Sequence, residues 1–278
     1  GCKVVYNVQE IYPDTLNKPE TSFIHRYLRG MEKRVYNNSA AVTTIDQVFY
    51  DTIVGRFDDK SKLHIIPNFV DTDLYHDGVS TKELDRKLFP ETDSIKLLYA
   101  GNIGFAQDWE PLIRLAEKTR NQNIEYFLIG MGVKKKWVEE QKTLLGLDKL
   151  HILDYQPRHM MPAILAYSDL QYIFMTPEQE GMGFPSKVYT IMACARPLLV
   201  CSGDNTPIVN FLKPVGCAKL VTDHDLERKT DEMAKWLSTI TRADLRQMGV
   251  KGESVINQSY TKEKVTRQYV ELVDSILK

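Results

Sequence analysis

Short apolar runs alternate with amphipathic stretches along most of this chain. Runs at 95–100, 124–130, 150–153, 170–175, 197–201 and 218–222 read as buried strands, and apolar residues recur at helical spacing over 110–120, 133–145, 162–167, 186–195 and 206–212. Strands separated by helices predict a parallel, doubly wound sheet, because each crossover between parallel neighbours needs a helix to pack on a sheet face. Helical patterns at 226–240, 243–259 and 262–277 then follow with no strands between them. Residues 4–8, 41–44 and 63–66 repeat the strand pattern, with helices expected at 22–36 and 46–56. Three strands make a poor half of such a fold, so this region reads as the remnant of a second sheet. Residues 71–93 are polar and aperiodic, with a charged run at 82–87 and a lone Pro90, and read as an interdomain linker.

The expected fold class is therefore α/β: a Rossmann-like doubly wound parallel sheet plus a partial second α/β domain. The boundaries expected are 1–70 for the partial domain, 71–93 for the linker, 94–260 for the Rossmann-like domain, and a last helix at 261–278.

Composition narrows the function classes. With 278 residues and 43% hydrophobic content the chain can bury one large core or two modest ones. A net charge of −1 argues against a nucleic-acid binder, which needs clustered Lys and Arg to neutralise phosphates. Lys134, Lys135 and Lys136 form the one dense basic run, which reads as a solvated helix face. The four cysteines have no C-x-x-C spacing, and Cys194 and Cys201 lie in apolar surroundings, as buried free thiols do in a reducing compartment. No stretch has membrane-spanning length, and no signal-peptide pattern opens the chain. The first residue is Gly and leads straight into a strand-like run, which reads as an excised fragment with Gly1 a cloning remnant.

Candidate chemistry gathers where strands are expected to end. Gly101-Asn102-Ile103-Gly104 lies between a strand and a helix, where glycines let backbone amides approach a pyrophosphate. Gly130-Met131-Gly132 ends the next strand, and Tyr155-Gln156 follows the third, as neighbours for a nucleobase. Pro185 and Ser186 are expected to start a helix, with the Ser186 hydroxyl as its cap. Lys187 then stands in the first turn, at the positive end of the helix dipole, and completes an anion seat. Asp71-Thr72-Asp73 has the spacing of a metal-binding acid pair but reads as a turn. The six histidines have no zinc spacing, and His64 reads as structural. Trp109, Trp137 and Trp236, at helical positions, read as packing residues rather than sugar platforms.

Several of these segments, in order, resemble the group 1 (family 4) retaining glycosyltransferases of GT-B fold, especially their bacterial surface-polysaccharide branch. Ile65-Ile66-Pro67-Asn68-Phe69-Val70-Asp71 is similar to the Ile-Pro-Asn-Gly-Val-Asp signature closing their N-terminal domain. Tyr99 to Gly104 with Gln107 resembles their first C-domain turn, and Ile129-Gly130-Met131-Gly132 their Gly-x-Gly. Pro185-Ser186-Lys187, Met192-Ala193 and Arg196-Pro197 resemble one further block, and the segment from Gln9 to Asp14 resembles Asp-Leu-Trp-Pro-Glu. On this resemblance roughly a hundred N-terminal residues precede the chain, given domains of about 150 residues.

The resemblance implies transfer of a sugar from a nucleoside-diphospho-sugar to a saccharide or lipid-linked acceptor, with retention, in capsule or O-antigen assembly. It implies no cofactor and no required metal, and a cytoplasmic location, peripheral at the inner membrane face where the acceptor is lipid-linked. Lys187 would neutralise charge on the leaving diphosphate. The family's two donor-binding acids fall here at Met182 and Thr190, so Glu180 is the candidate sugar-side carboxylate, with Glu178 near it, and Thr190 a weaker partner for a ribose hydroxyl. That departure leaves a non-catalytic nucleotide-sugar-binding module as an alternative, with a sugar-nucleotide epimerase on the same fold as another.

Overall fold

The computed structural model describes residues 2–11, 14, 22–180 and 183–278. Tyr12, Pro13 and Met182, which belong to the resemblance above, lie outside them. The chain divides into two units, residues 1–70 with 259–278, and residues 71–258.

In the smaller unit, β1 (Val5–Val8), β2 (Ala41–Thr44) and β3 (Leu63–Ile65) form a parallel sheet in the order β1-β2-β3. Helices α1 (Phe23–Asn38) and α2 (Gln47–Ile53) connect them, and Asp46 caps α2 by accepting from the Phe49 amide. The last helix of the chain, Lys262–Leu277, packs Val265 and Leu272 against Ala41 and Ile66. Thr261 caps that helix, and Lys262 N donates to Val70 O, so the two ends of this unit are tied together.

The larger unit holds six parallel strands: β4 (Ile95–Ala100), β5 (Ile124–Ile129), β6 (Leu150–Leu153), β7 (Leu170–Phe174), β8 (Leu198–Cys201) and β9 (Ala218–Val221). Their order is β6-β5-β4-β7-β8-β9. Every residue of β5, β7 and β8 is buried, as expected of a sheet covered on both faces. One face is covered by α3 (Glu110–Lys118), α4 (Lys135–Leu145) and α8 (Leu226–Leu237), through Leu112, Leu115, Val138, Met233 and Leu237. On the other, α5 (Met161–Tyr167) sets Ala163, Ile164 and Tyr167 against Leu98 and Phe127. Helices α6 (Lys187–Ala193), α7 (Pro207–Leu212) and α9 (Arg242–Ser259) precede α10, the Lys262–Leu277 helix. The chain enters at β4, builds outward to β6, then reverses to β7. The carboxyl ends of β4 and β7 are thus the switch point at which open sheets of this kind bind ligands.

The expected linker differs in character from its sequence. Within 71–93, Leu84 and Phe89 are buried with Leu98 and Phe127, and Tyr167 Oη donates to Pro90 O at 2.6 Å. Two isolated apolar residues are enough to dock a polar stretch when each fills a gap beside a sheet. Asp71 makes the expected turn: its carbonyl accepts from Leu74 and Tyr75, and its carboxylate from the Asp73 amide.

Candidate functional site

Two glycine turns lie side by side at the carboxyl ends of β4 and β5, the first of them at the switch point, because the ladder continues past the strand ends. Gly101 N donates to Ile129 O at 2.9 Å, Gly130 N to Leu153 O at 2.9 Å, and Ile103 N to Met131 O at 2.8 Å. The approach leaves no room for side chains. Gly130 has φ 146°, and a Cβ there would stand 1.9 Å from Gly101 O.

The first turn is held from beneath by two aromatic residues. Tyr99, buried in β4, donates its hydroxyl to Asn102 O at 2.9 Å, and Trp109 Nε1 donates to Gly104 O at 2.8 Å. Their rings meet edge to face at 5.1 Å. Neither was singled out as a site residue by sequence: Tyr99 reads as one more apolar residue of a strand, and Trp109 as packing. Both do pack, and both also fix the turn's carbonyls.

The geometry narrows the amide cradle expected at Gly101–Gly104. The amides of Gly101 and Ile103 are consumed by the ladder, and the Ile103 side chain is fully buried. Ile103 therefore offers a ligand neither its N–H nor its side chain. Among the described residues, the amides of Asn102 and Gly104 have no acceptor, so the turn presents two donors rather than four.

Lys187 reaches this turn from α6. Its Nζ donates to Ala100 O at 3.1 Å and lies 3.8 Å from the centroid of the Tyr99 ring. The space that a Cβ on Gly101 would take is 2.6 Å from the same Nζ. Burial without a carboxylate partner pushes its pKa down from 10.5 to about 8. Lys187 also lines a cavity of about 90 Å³ with Tyr75, Tyr99, Gln171 and Thr190. Thr190 Oγ1 donates to Lys187 O at 2.8 Å, which leaves its lone pairs to accept. Ser186 does not cap the helix as expected. It holds φ −56° and ψ −23°, inside the helical region, whereas a capping hydroxyl needs an extended residue to face the first amides. Pro185 O accepts from Val188 N in the same turn.

The remaining candidates spread along the sheet edge. Tyr155 is exposed and its ring lies 3.5 Å from the position of a Gly130 Cβ, which places it on the second turn beside the exposed Met131. A Cβ on Gly132 would stand 2.3 Å from Ile103 O, so the second turn also rests on the first. Gln156 instead turns its amide onto Asp154 O at 3.1 Å. Glu180 lies beyond β7, where its Oε2 stands 3.8 Å from His224 Nε2 and 2.6 Å from the position of a Gly203 Cβ. This is at the β8 and β9 end of the edge, and Glu180 makes no contact with Lys187. His224, the ring beside it, carries no sequence signal. Among the described residues no group of three or more His, Cys, Asp or Glu is placed to hold a metal ion.

Comparison with known proteins agrees with this fold. Residues 80–251, well over half the chain, match the family model described as glycosyl transferases group 1, and residues 1–74 match that for glycosyltransferase family 4. The probable glycosyltransferase WbjE of Pseudomonas aeruginosa is 22% identical over 272 residues, 94% of this chain and 65% of that protein. The putative colanic acid biosynthesis glycosyl transferase WcaI of Escherichia coli is 22% identical over 202 residues, 69% of this chain and 49% of that protein. The chain thus spans 65% and 49% of these relatives' lengths. Among solved structures, HepE of Anabaena, in complex with UDP and glucose, superposes with a TM-score of 0.76 at 16% identity, covering 98% of this chain and 72% of that one. With a doubly wound parallel sheet of GT-B type and a family model matched through both glycine turns and Lys187, the chain belongs to the group 1 glycosyl transferases.

Proposed function

We propose that the chain is the donor-binding part, with a portion of the acceptor side, of a glycosyltransferase in surface-polysaccharide assembly. It takes a nucleoside-diphospho-sugar donor and a saccharide or lipid-linked acceptor, and transfers with retention. The observation that carries this reading is the meeting of Lys187 with the Gly101–Gly104 turn at the end of β4. The names of the two relatives support it, as does the UDP and glucose held by the Anabaena protein.

In this reading the diphosphate accepts from the Asn102 and Gly104 amides and from a proton of Lys187 not committed to Ala100. These donors are fixed before the substrate arrives, by Tyr99 and Trp109, so little reorganisation accompanies the growth of charge on the leaving diphosphate. Lys187 is mostly protonated at neutral pH, and an adjacent phosphate raises its pKa further. Tyr155 borders the base, Thr190 accepts from a ribose hydroxyl, and Glu180 faces the sugar. No cofactor or metal is assigned. A lipid-linked acceptor would place the protein on the inner face of the membrane from the cytoplasmic side. No helix among the described residues is long and apolar enough to cross it.

A second reading, a nucleotide-sugar-binding module without catalysis, is favoured by Thr190 standing where the family resemblance has an acid. Transfer from labelled UDP-, GDP-, CDP- and ADP-sugars separates the two. Turnover by the protein, lost in a folded Lys187→Ala variant, supports the enzyme. Nucleotide binding without turnover on any acceptor supports the module, and turnover unchanged in Lys187→Ala removes the lysine from its role.

A further inference from the structure

A cavity of about 410 Å³ opens at the carboxyl edge of the six-stranded sheet and shares only Trp109, which pins the first turn from beneath, with the seat described above. Its walls come from the loop after β4, the start of α4 and the loop after β7. These loops are tied together at their base, where Asp108 N donates to Phe174 O at 2.7 Å and Gln107 Oε1 accepts from Phe174 N at 3.2 Å. The volume is within the range of about 300–1,000 Å³ typical of small-molecule sites.

Three features define what could fill it. First, Phe105 is 70% exposed, directly after the Gly101–Gly104 turn, and presents a flat apolar ring to a polar surround. Trp137 packs against the core as expected and, being half-buried, also forms another wall. Second, the ammonium of Lys134 stands 5.1 Å from the Phe105 ring centroid and 6.0 Å from that of Trp137, so it steadies the two rings. Third, the carboxylates outnumber the cations. Asp108 is neutralised by Lys229 at 3.1 Å, but Glu110 and Glu178 make no ion pair among the described residues.

Two carboxylates against one ammonium disfavour an anionic guest such as a nucleotide or a uronic acid. A neutral, hydroxyl-rich guest carries no such penalty: its hydroxyls donate to Glu178 and Glu110, and Gln179 offers an amide. The ring of Phe105 matches the carbon–hydrogen face of a pyranose. We infer that this cavity is a second saccharide subsite, which binds a neutral sugar unit separately from the nucleotide seat. The Gly101–Phe105 loop would then border both ligands. That the sugar is part of the growing glycan rests on the function proposed above; that a neutral sugar binds does not.

The test is a titration of the 278-residue protein with maltohexaose, mannohexaose, a galactose oligomer and a glucuronate-containing oligosaccharide, by calorimetry and protein-observed NMR, with UDP titrated into the same samples. At least one neutral oligosaccharide should bind with a dissociation constant on the order of 1 mM, and more tightly than the glucuronate compound. Phe105→Ala should weaken it by about tenfold or more, Glu178→Ala should weaken it too, and UDP should not displace it. Phe105 is exposed, so its variant should melt with the parent and bind UDP as the parent does. Absence of binding by every neutral oligosaccharide, full binding by Phe105→Ala, or displacement by UDP overturns the inference. Failure of UDP to bind, while saccharide binding remains and depends on Phe105, sinks the proposed function and leaves the subsite standing.

Discussion

Replacing Gly130 by alanine tests the geometry on which the site depends. Two costs are separable. An L-residue at φ 146° is strained by about 1–3 kcal/mol. The new Cβ would also stand 1.9 Å from Gly101 O, so that carbonyl must retreat by about 1.1 Å to reach even a 3.0 Å contact. Gly101 is held by its bond to Ile129 O at 2.9 Å, so the retreat loosens a ladder hydrogen bond as well, a further cost of about 1 kcal/mol before any steric remainder. A total of about 2–4 kcal/mol corresponds to a fall in melting temperature of roughly 4–16 °C for a unit of this size. Gly146→Ala is the control. Its φ is 61°, nothing lies within 4 Å of its Cβ position, and the cost should be the conformational one alone, about 1–2 kcal/mol. Scanning calorimetry of the two variants beside the parent reads the difference. A Gly130→Ala protein that melts as high as Gly146→Ala would show that the two turns do not touch.

Three further outcomes are expected. Phe127→Ala should destabilise the larger unit by about 3–5 kcal/mol in denaturant unfolding, because Phe127 is fully buried against Phe89, Tyr167 and His151; a loss below about 1 kcal/mol would contradict that packing. Lys187, held at about 8 against an ordinary 10.5, binds its proton less readily folded than unfolded, so its contribution to stability should rise as pH goes from 8 to 10.5, against the opposite trend set by the buried thiols and tyrosines. The parent should therefore gain about 3 kcal/mol relative to Lys187→Met over that range, and equal slopes in the two proteins would place the ammonium in water. Burial pushes the thiols of Cys194, Cys201 and Cys217 up to about 12, so a thiol reagent at pH 8 should modify only the exposed Cys2 quickly; rapid modification of a second thiol would contradict the fold around β8.

Much of the fold was legible because the strands are buried on both faces and therefore read as unbroken apolar runs. Ile95–Ala100 and Leu150–Leu153 match their expected bounds, and the other strands of that sheet differ by a residue. Helix ends were less legible. The helix expected over 186–195 occupies Lys187–Ala193 because Ala195 turns to φ 51° and Arg196 N donates back to Ile191 O, a closure set by local geometry that apolar spacing does not reveal. Pro185 and Ser186 marked Lys187 as standing at a helix start, but its place beside a glycine turn 86 positions earlier came only by way of family resemblance; periodicity alone carries no information that its ammonium reaches Ala100 O. The pins at Tyr99 and Trp109 were invisible for the same reason, since each depends on a partner fixed by the folded backbone. Ile103 shows the converse: a residue inside a recognisable turn whose amide the ladder has already used.

The central claim is that a nucleoside diphosphate lies between the first glycine turn and Lys187. A crystal structure of the protein with UDP, GDP, CDP or ADP tests it most directly. Phosphate oxygens within hydrogen-bonding distance of Lys187 Nζ and of the Asn102 or Gly104 amide are the predicted result. A diphosphate bound elsewhere on the sheet edge, with Lys187 still committed only to Ala100 and Tyr99, would contradict it.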